Sequence, residues 1–159
     1  QKAGKGNKRA RILVCASMSS AADHLAVSLV RFIEEKELPI KLFRMNAYTR
    51  NPDEVDKKLH NYTTFDGYGY EVPGSAEIDQ YDIIVCTLAS SPLLMYKREE
   101  RVGFSHIFVD EATSATHHAL LLPLASVGSK ATQMVLAGDP NQLGAIINCK
   151  TAVRLFPKA

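Results

Sequence analysis

The feature that most constrains the fold of this chain is a set of short apolar runs in which hydrophobic residues follow one another without alternation. A strand that is apolar on both sides must be covered on both sides, which is typical of a parallel sheet packed between helices. The pattern therefore predicts parallel strands at four positions and a weaker fifth: RILVCA (11–16), DIIVCTLA (82–89), HIFVD (106–110), QMVLAGD (133–139) and IKLFRM (40–45).

Helical patterns separate these runs. Residues 20–37 place apolar side chains at helical spacing and are followed by Pro39, which predicts a helix that ends before the proline. Residues 117–126 predict a second helix, which we expect Pro123 to bend or end. Alternating strands and helices predict an α/β fold built on a doubly wound parallel sheet. Right-handed crossovers then place the carboxyl ends of the strands at one edge, where ligands bind.

Length and local composition predict one domain with two less regular parts. A chain of 159 residues is long enough for one hydrophobic core. Residues 1–10 are polar and are expected to be disordered, and residues 11–159 are expected to form the domain. Within it, residues 46–80 are rich in Tyr, Gly and Asp with little periodicity, which predicts a surface insertion that is partly helical around 52–60.

Composition and cysteine content are those of an ordinary globular protein. With 46% hydrophobic residues and a net charge of +2, charge alone does not indicate a nucleic-acid-binding protein. The three cysteines are an odd number without metal-binding spacing, and Cys15 and Cys86 lie inside apolar runs, so we expect reduced core residues of an intracellular protein. The chain has neither a signal peptide nor an apolar run of membrane-spanning length, which predicts a cytoplasmic protein without membrane binding.

Two adjacent carboxylates, Asp110 and Glu111, directly follow the apolar residues 107–109. Like charges this close repel each other, and burying an unpaired carboxylate is costly, so the pair needs a compensating role. At the ligand edge of a parallel sheet, an aspartate can hold a magnesium ion on the terminal phosphates of a nucleotide, and a glutamate beside it can accept a proton from the attacking water. The alternative is a solvated strand end before a helix N-terminus, where acids are also stabilised.

The last apolar run ends in a second polar loop, LAGDPNQLGAI (136–146). Gly138 and the pair Asp139-Pro140 suit a tight turn. Gln142 can both donate and accept hydrogen bonds, so it can contact a γ-phosphate or orient a water molecule. The alternative is an ordinary turn that binds nothing. The two loops together are more specific for nucleotide hydrolysis than either loop alone.

Several segments resemble motifs of one enzyme family. VDEA, LAGDPNQLG and ILVCASMSSAADHL are similar to motifs II, III and Ia of superfamily one RNA helicases, in the group that includes the nonsense-mediated-decay helicase and the Armitage-like RNA-silencing helicases. LFRMNAYTR and DIIVCTLASSPLL resemble the silencing branch, and the resemblance extends over residues 11–156. It implies a P-loop NTPase (RecA-like) fold, of which this chain is a partial first domain. ATP then lies between this domain and a second RecA-like domain, and single-stranded RNA crosses both.

The resemblance also implies roles for particular residues. Asp110 would bind magnesium, Glu111 would be the catalytic base, and Gln142 would sense the γ-phosphate of ATP, while Gly138 and Asp139 shape the loop of Gln142 in the same ATP site. Contacts with RNA phosphates would come from hydroxyl-bearing residues that follow or end two strands: Ser17, Ser19, Ser20 and Thr87. Backbone amides, hydroxyl groups and a helix N-terminus suit such contacts, which carry no sequence information.

The phosphate-binding loop of the family, G-x-x-x-x-G-K-[ST], is missing from this sequence. The one Gly-Lys pair, Gly4-Lys5, is followed by Gly6 and has no strand pattern before it. We therefore expect the chain to begin just after that loop and to lack the second RecA-like domain. Because both parts contact ATP in the family, we expect that this chain alone does not hydrolyse ATP.

Single residues also differ from the family pattern. Ser17-Met18-Ser19 stands in place of Pro-Ser-Asn, Ser114 in place of a glutamine, His117-His118-Ala119 in place of Glu-Pro-Glu, and Ala145 in place of a proline. The two histidines are not expected to bind a metal, because neighbouring residues on a helix point about 100° apart. Four aromatic residues of 46–80 could stack on RNA bases, but packing onto the domain is the favoured role: Tyr62, Phe65, Tyr68 and Tyr70.

Three functional hypotheses follow. The favoured one is an ATP-dependent RNA helicase that couples Mg-ATP hydrolysis to translocation on, or unwinding of, RNA in RNA silencing or surveillance, with RNA-silencing proteins as partners. The second is a catalytically inactive helicase remnant that binds RNA or a protein. The third, a phosphoacceptor receiver domain, is disfavoured because it would need acidic residues after the first strand, where RILVCASMSS has none.

Overall fold

The computed structural model describes residues 10–96, 103–141, 144 and 154. The predicted strands and helices are all confirmed, with small differences at their ends. The strands are β1 (Ile12–Ala16), β2 (Leu42–Arg44), β3 (Ile83–Thr87), β4 (His106–Val109) and β5 (Gln133–Leu136), and the helices are α1 (Ser19–Glu35), α2 (Ser75–Ile78), α3 (Leu93–Tyr96) and α4 (His117–Val127). The predictions for residues 1–9 and for Gln142, Ala145 and Cys149 lie outside the described residues.

All five strands form one parallel sheet in the order β2-β3-β1-β4-β5. The register pairs Ala16 with Thr87 and Cys15 with Val109, so neighbouring strands end at nearly the same level. The loops that follow β1, β3, β4 and β5 therefore lie along one side of the sheet, which is termed the carboxyl edge below. This is the arrangement that the apolar runs predict.

Helices cover both faces of the sheet, which explains why the strands are apolar on both sides. On one face, Leu13 and Cys15 of β1 pack in a buried cluster that includes Val127 of α4. On the other face, Val14 and Ala16 pack against α1. Alternate residues of one strand thus belong to two different cores. Among the described helices, none has the length and apolar character that a membrane crossing requires.

The sequence predicts that Pro123 bends or ends the second helix, and the second of these alternatives is wrong, because α4 continues beyond Pro123 to Val127. Proline lacks the N–H that would bond to the preceding turn, so one helical hydrogen bond is lost. The helix is nevertheless held on both sides of that position. Thr116 Oγ1 accepts a hydrogen bond from the N–H of Ala119 at 3.3 Å, and Pro123 and Val127 are buried. Tertiary packing therefore offsets the local cost of the proline.

The segment 46–80 is attached to the sheet through a few apolar side chains. It contains two 3-10 turns, Pro52–Glu54 and Lys57–Tyr62, in the region where the sequence predicts helical structure. Val55 and Leu59 are buried in the same core as α1. The segment thus contributes to the core on the α1 face.

The aromatic residues of this segment differ in burial. Tyr70 is 3% exposed and lies beside Phe65, with ring centroids 5.1 Å apart. Tyr62 donates its hydroxyl hydrogen bond to Glu34 of α1 at 2.9 Å. Tyr68 is 89% exposed. The favoured packing role is therefore confirmed for Tyr70 and is wrong for Tyr68.

A buried ion-pair cluster joins α1, β2 and the segment 46–80. It consists of Asp23, Arg44 and Arg50 and is termed the Asp23 cluster below. Arg44 Nε donates to Asp23 Oδ1 at 2.8 Å, and Arg50 donates to both carboxylate oxygens of Asp23. Arg44 is 1% exposed, and its guanidinium also donates to the carbonyl of Ser19 at 3.3 Å. The cluster therefore fixes the beginning of α1 relative to β2.

The two arginines decide the charge state of Asp23. Burial by itself would raise the pKa of the Asp23 carboxyl, but the hydrogen bonds and positive charges of Arg50 and Arg44 outweigh burial and hold the pKa below its ordinary value. The hydrogen bond to Asp23 in turn raises the pKa of Arg50. The carboxylate is therefore charged and paired inside the fold, as a buried charge must be.

Cys15 and Cys86 are in register on β1 and β3, with their sulfur atoms 3.8 Å apart. Both are free and buried, as the sequence predicts. The hydrogen bond to Cys86, together with burial, raises the pKa of the Cys15 thiol. A protonated thiol of this kind behaves as a small apolar core residue.

Removing the carboxylate of Asp23 is expected to destabilise the fold strongly. Asp23→Ala leaves Arg44 and Arg50 without their anionic partner in a buried site, and we expect a loss of about 3–5 kcal/mol in the free energy of unfolding. The matched control is Glu35→Ala, which removes the exposed ion pair with Arg31 and should leave stability nearly unchanged. Urea unfolding of the purified variants measures both, and equal losses would contradict the role of the cluster.

Acid is expected to weaken the fold through the same carboxylate. The pKa of Asp23 is lower in the folded chain than its unfolded value of about 3.9. The stability that it contributes is therefore complete above that value and is lost as the pH falls through the folded-state pKa. The stability difference between the wild type and Asp23→Asn should narrow as the pH falls below about 4 in a series of unfolding curves. A difference that is independent of pH would argue against a charged Asp23.

Candidate functional site

Asp110 is held in place by the ladder of the strand that precedes it. Its backbone N–H donates to the carbonyl of Cys15 at 2.9 Å, which extends the pairing of β4 with β1 by one residue beyond Val109. The residue is half-buried and lies at the carboxyl edge, where the sequence predicts it. The central ladder therefore sets the position of the first carboxylate.

Glu111 has a left-handed backbone conformation, with φ 49° and ψ 41°. For a residue other than glycine this conformation costs roughly 1–3 kcal/mol, so surrounding contacts must hold it. The N–H of Ala112 donates to the carbonyl of Ala137 at 2.7 Å. The N–H and Oγ of Ser114 both donate to the carbonyl of Glu111, at 3.0 and 2.7 Å. The turn leaves the Glu111 side chain exposed at the carboxyl edge.

The loop after β5 packs closely against the loop after β4. A Cβ atom on Gly138 would lie 3.0 Å from Thr113 Oγ1 and 3.1 Å from the Thr113 amide nitrogen, so the backbones approach as closely as glycine allows. Thr113 Oγ1 donates to the carbonyl of Asp139 at 3.2 Å. The Asp139 carboxylate accepts from the N–H of Asn141 at 2.9 Å and stabilises the local turn. Gly138 and Asp139 thus lie beside the Glu111 turn.

Asp110 and Glu111 line one cleft of about 380 Å³, and the beginning of α1 forms the rest of it. The residues that precede or belong to α1 in this cleft are mostly small or polar: Met18, Ser20, Ala21, His24, Leu25 and Ser28. Of the predicted RNA-contact residues, Ser20 therefore shares a cleft with the predicted catalytic carboxylates. Ser17 is also near them, because its Oγ lies 3.2 Å from Oγ of Ser114.

The start of α1 presents backbone amides at the carboxyl edge. Its N-cap is Met18, whose side chain makes no capping hydrogen bond to the first turn, and the first turn contains no acidic residue. The first amides of a helix have no partner within the helix and attract anions. Ser19 is half-buried and Ser20 is exposed, so an anion can approach this turn from solvent.

Thr87 lies at the carboxyl edge, but its hydroxyl serves the local turn. It ends β3 in register with Ala16 and is 9% exposed. Its Oγ1 donates to Ser90 Oγ at 2.9 Å and accepts from the Ser90 N–H at 3.2 Å. The structure gives this hydroxyl a capping role, and its contact with RNA stays a prediction.

The donor set suits magnesium better than metals that need several protein ligands. The described part of the chain has no group of three or more His, Cys, Asp or Glu side chains that could hold a metal ion. Magnesium is usually bound by one or two carboxylates together with phosphate oxygens and water. Asp110, half-buried and followed by the exposed Glu111, fits that type of site.

Sequence reasoning misses two groups of residues near this site. It identifies Ser114 only as a departure from the family pattern, whereas the Ser114 hydroxyl connects Glu111 with Ser17. It also misses the Asp23 cluster, although Arg44 is a visible signal because a charge interrupts an apolar run. The link to Ser17 has no local signal, since the two serines are 97 positions apart.

Comparisons with known proteins gave a match to one family model and to several proteins named as helicases. A family model described as AAA domain matches residues 71–150, half of the chain. The chain is 36% identical over 153 residues to putative helicase mov-10-B.1 of Danio rerio, covering 94% of this chain and 15% of that protein. It is 39% identical over 145 residues to RNA helicase Mov10l1 of Homo sapiens, covering 90% and 11%. It is 28% identical over 143 residues to the probable helicase with zinc finger domain of Danio rerio, covering 86% and 8%.

The chain spans at most 15% of the length of these curated relatives. Its five-stranded parallel sheet with helices on both faces is the RecA-like α/β fold of P-loop NTPases. The relatives are named as helicases, in agreement with the three helicase-like motifs of the sequence. The chain therefore belongs to the AAA domain family of P-loop NTPases, and its predicted membership of the nonsense-mediated-decay and Armitage-like group of superfamily one RNA helicases is confirmed.

Proposed function

We propose that this chain is part of the first motor domain of an ATP-dependent RNA helicase, which couples hydrolysis of Mg-ATP to translocation on, or unwinding of, RNA. The observation that carries the proposal is the shared cleft, which Asp110 and Glu111 line together with the first turns of α1. Groups suited to nucleotide hydrolysis and groups suited to RNA phosphates thus adjoin each other at one edge of the sheet.

On the nucleotide side, each carboxylate has a separate role. Asp110 binds magnesium together with ATP phosphates and water, and Glu111 accepts a proton from the water that attacks the γ-phosphate. When bound, magnesium supplies the positive charge that offsets both the repulsion between the carboxylates and the charge on the phosphates. Gly138 and Asp139 support the loop of Gln142, the proposed γ-phosphate sensor. The close packing of Gly138 against the neighbouring loop favours this role.

On the RNA side, the amides at the start of α1 and the hydroxyls of Ser17, Ser19 and Ser20 contact phosphate groups of a single strand. Such donors read no base, which suits a motor that moves along RNA of any sequence. Thr87 contributes from the end of the neighbouring strand through its backbone, because its hydroxyl is bonded to Ser90.

Other parts of a longer protein complete the enzyme. A G-x-x-x-x-G-K-[ST] loop and a second RecA-like domain supply the remaining contacts to ATP, so this chain alone is expected not to hydrolyse ATP. The much greater length of the curated relatives agrees with this view. A role in RNA silencing or surveillance, with RNA-silencing proteins as partners, is supported by the resemblance of the motifs.

The motif departures favour a second candidate function. Ser114 replaces a glutamine on the ATP side, and Ser17-Met18-Ser19 replaces Pro-Ser-Asn on the RNA side. A catalytically inactive remnant that binds RNA or a protein would tolerate both changes. The natural sequence that precedes residue 11 separates the two functions, because an intact phosphate-binding loop there favours the enzyme.

The first test removes the proposed base. In the full-length protein, Glu111→Gln keeps the size of the side chain but cannot accept a proton, so kcat for RNA-stimulated ATP hydrolysis should fall about 10²–10⁴-fold while ATP binding is retained. ATPase assays with and without single-stranded RNA, and titration with a fluorescent ATP analogue, measure these quantities. Glu35→Gln at the exposed end of α1 is the control and should change neither. Undiminished turnover in Glu111→Gln would exclude this role.

A second test moves the loop after β5. Gly138→Ala places a Cβ about 3 Å from backbone and side-chain atoms of Thr113, so the two loops must separate and kcat should fall roughly ten- to hundredfold. The matched control is Gly74→Ala, because a Cβ on Gly74 has no atom within 4 Å and should leave kcat unchanged. The two variants are compared by steady-state ATPase kinetics of the full-length protein. Equal kcat values would show that the close approach at Gly138 is not needed.

A further inference from the structure

We infer that Ser114 is a positioning residue that connects the RNA-contact loop after β1 to the catalytic Glu111 through a pair of hydroxyl groups. The inference rests on the proposed function and specifies how RNA regulates the same site. It concerns a position at which this chain departs from its family, where a serine stands in place of a glutamine.

Both contacts of this connection are made by the hydroxyl group of Ser114. Ser114 Oγ lies 2.7 Å from the carbonyl oxygen of Glu111 and 3.2 Å from Ser17 Oγ. A carbonyl oxygen can only accept, and a hydroxyl group carries one hydrogen. The Ser114 hydroxyl is the donor toward both oxygens, so its one hydrogen is shared between the Glu111 carbonyl, which is nearer, and Ser17 Oγ. The Ser114 hydroxyl therefore forms a hydrogen-bonded link from the β1 loop to the backbone of the proposed base.

The carbonyl of Glu111 is the point at which these hydrogen bonds affect the proposed base. It accepts two hydrogen bonds from the same residue, one from the Ser114 N–H at 3.0 Å and one from Ser114 Oγ. These bonds help to hold Glu111 in its left-handed conformation, and that conformation sets the direction in which its side chain leaves the backbone. Loss of the hydroxyl bond loosens the placement of the carboxylate without removing the carboxylate itself.

Ser17 is the residue through which bound RNA affects this series of hydrogen bonds. It directly precedes Met18, the N-cap of α1, so a phosphate bound at the first turn of α1 pulls on the backbone that carries the Ser17 hydroxyl. The Asp23 cluster anchors the same turn through the bond from Arg44 to the Ser19 carbonyl. A displacement at the start of α1 is therefore confined to the short loop that contains Ser17.

The neighbouring hydroxyls cannot replace Ser114, because they have other partners. Thr113 Oγ1 donates to the carbonyl of Asp139 at 3.2 Å, and Thr116 Oγ1 accepts from the N–H of Ala119 at 3.3 Å. Of the three hydroxyl-bearing residues between β4 and α4, Ser114 is the one bonded to the loop after β1.

The experiment measures how strongly RNA stimulates ATP hydrolysis by the full-length protein. The stimulation ratio is kcat with saturating single-stranded RNA divided by kcat without RNA. Ser114→Ala should lower this ratio at least threefold while the Kd for single-stranded RNA stays within twofold, because the residue transmits RNA binding and does not contact RNA. Ser114→Thr keeps a hydroxyl and should retain the ratio. Ser126→Ala, whose hydroxyl bonds to Leu122 within α4, is the matched control and should leave the ratio unchanged.

A double variant tests whether the two serines act as one unit. The ratio of Ser17→Ala with Ser114→Ala should be no lower than that of the more affected single variant, because either change breaks the same chain of bonds. A merely structural role of Ser114 would instead lower the thermal unfolding midpoint and leave the ratio intact.

The outcomes separate this inference from the proposed function. A Ser114→Ala protein with the wild-type ratio, or a Ser114→Thr protein as impaired as Ser114→Ala, would overturn the inference while RNA-stimulated hydrolysis by the wild type upholds the function. A wild-type protein whose ATP hydrolysis does not respond to RNA would overturn both.

Discussion

The parallel hydrogen-bonded ladder around β1 is the constraint on which the rest of the structure depends. β1 pairs with β3 on one side and with β4 on the other, so residues far apart in sequence end their strands at one level. The bond from the Asp110 N–H to the Cys15 carbonyl extends this ladder by one residue into the site. The loop after β5 then packs against the loop after β4, with Gly138 at the point of closest approach. A cleft between α1 and two carboxylates follows from this one pattern of pairing.

Charge is used in two different ways along this edge. Asp23 is buried and forms ion pairs with two arginines of the same chain, so it stabilises the fold and anchors the start of α1. Asp110 and Glu111 take part in none of the ion pairs found among the described residues, and they line an open cleft. Their charge is available to a cation from outside the chain. In the proposed function, a metal ion bound with phosphates would offset the repulsion between these two neighbouring carboxylates.

Several parts of this arrangement are predictable because they depend on local patterns. Apolar runs predict parallel strands, since burial on both faces leaves no polar side, and motif spacing predicts that Asp110 and Glu111 follow such a strand. The effect of Pro123 is not predictable in this way, because burial of Val127 in the core keeps α4 helical past the proline. The placement of Gln142, which lies outside the described residues, stays a prediction.

The sequence by itself determined the α/β class, the succession of the predicted strands and helices along the chain, the helicase motifs and the position of the two acids at a strand end. These features follow from hydrophobic periodicity and from residue types within short segments. Only the tertiary structure decided that Asp23 pairs with two arginines, that Glu111 turns into the left-handed region and that Ser114 joins Ser17. Each of these depends on distances between atoms of segments that are remote in sequence, and such distances are set only when the sheet and its two cores have formed.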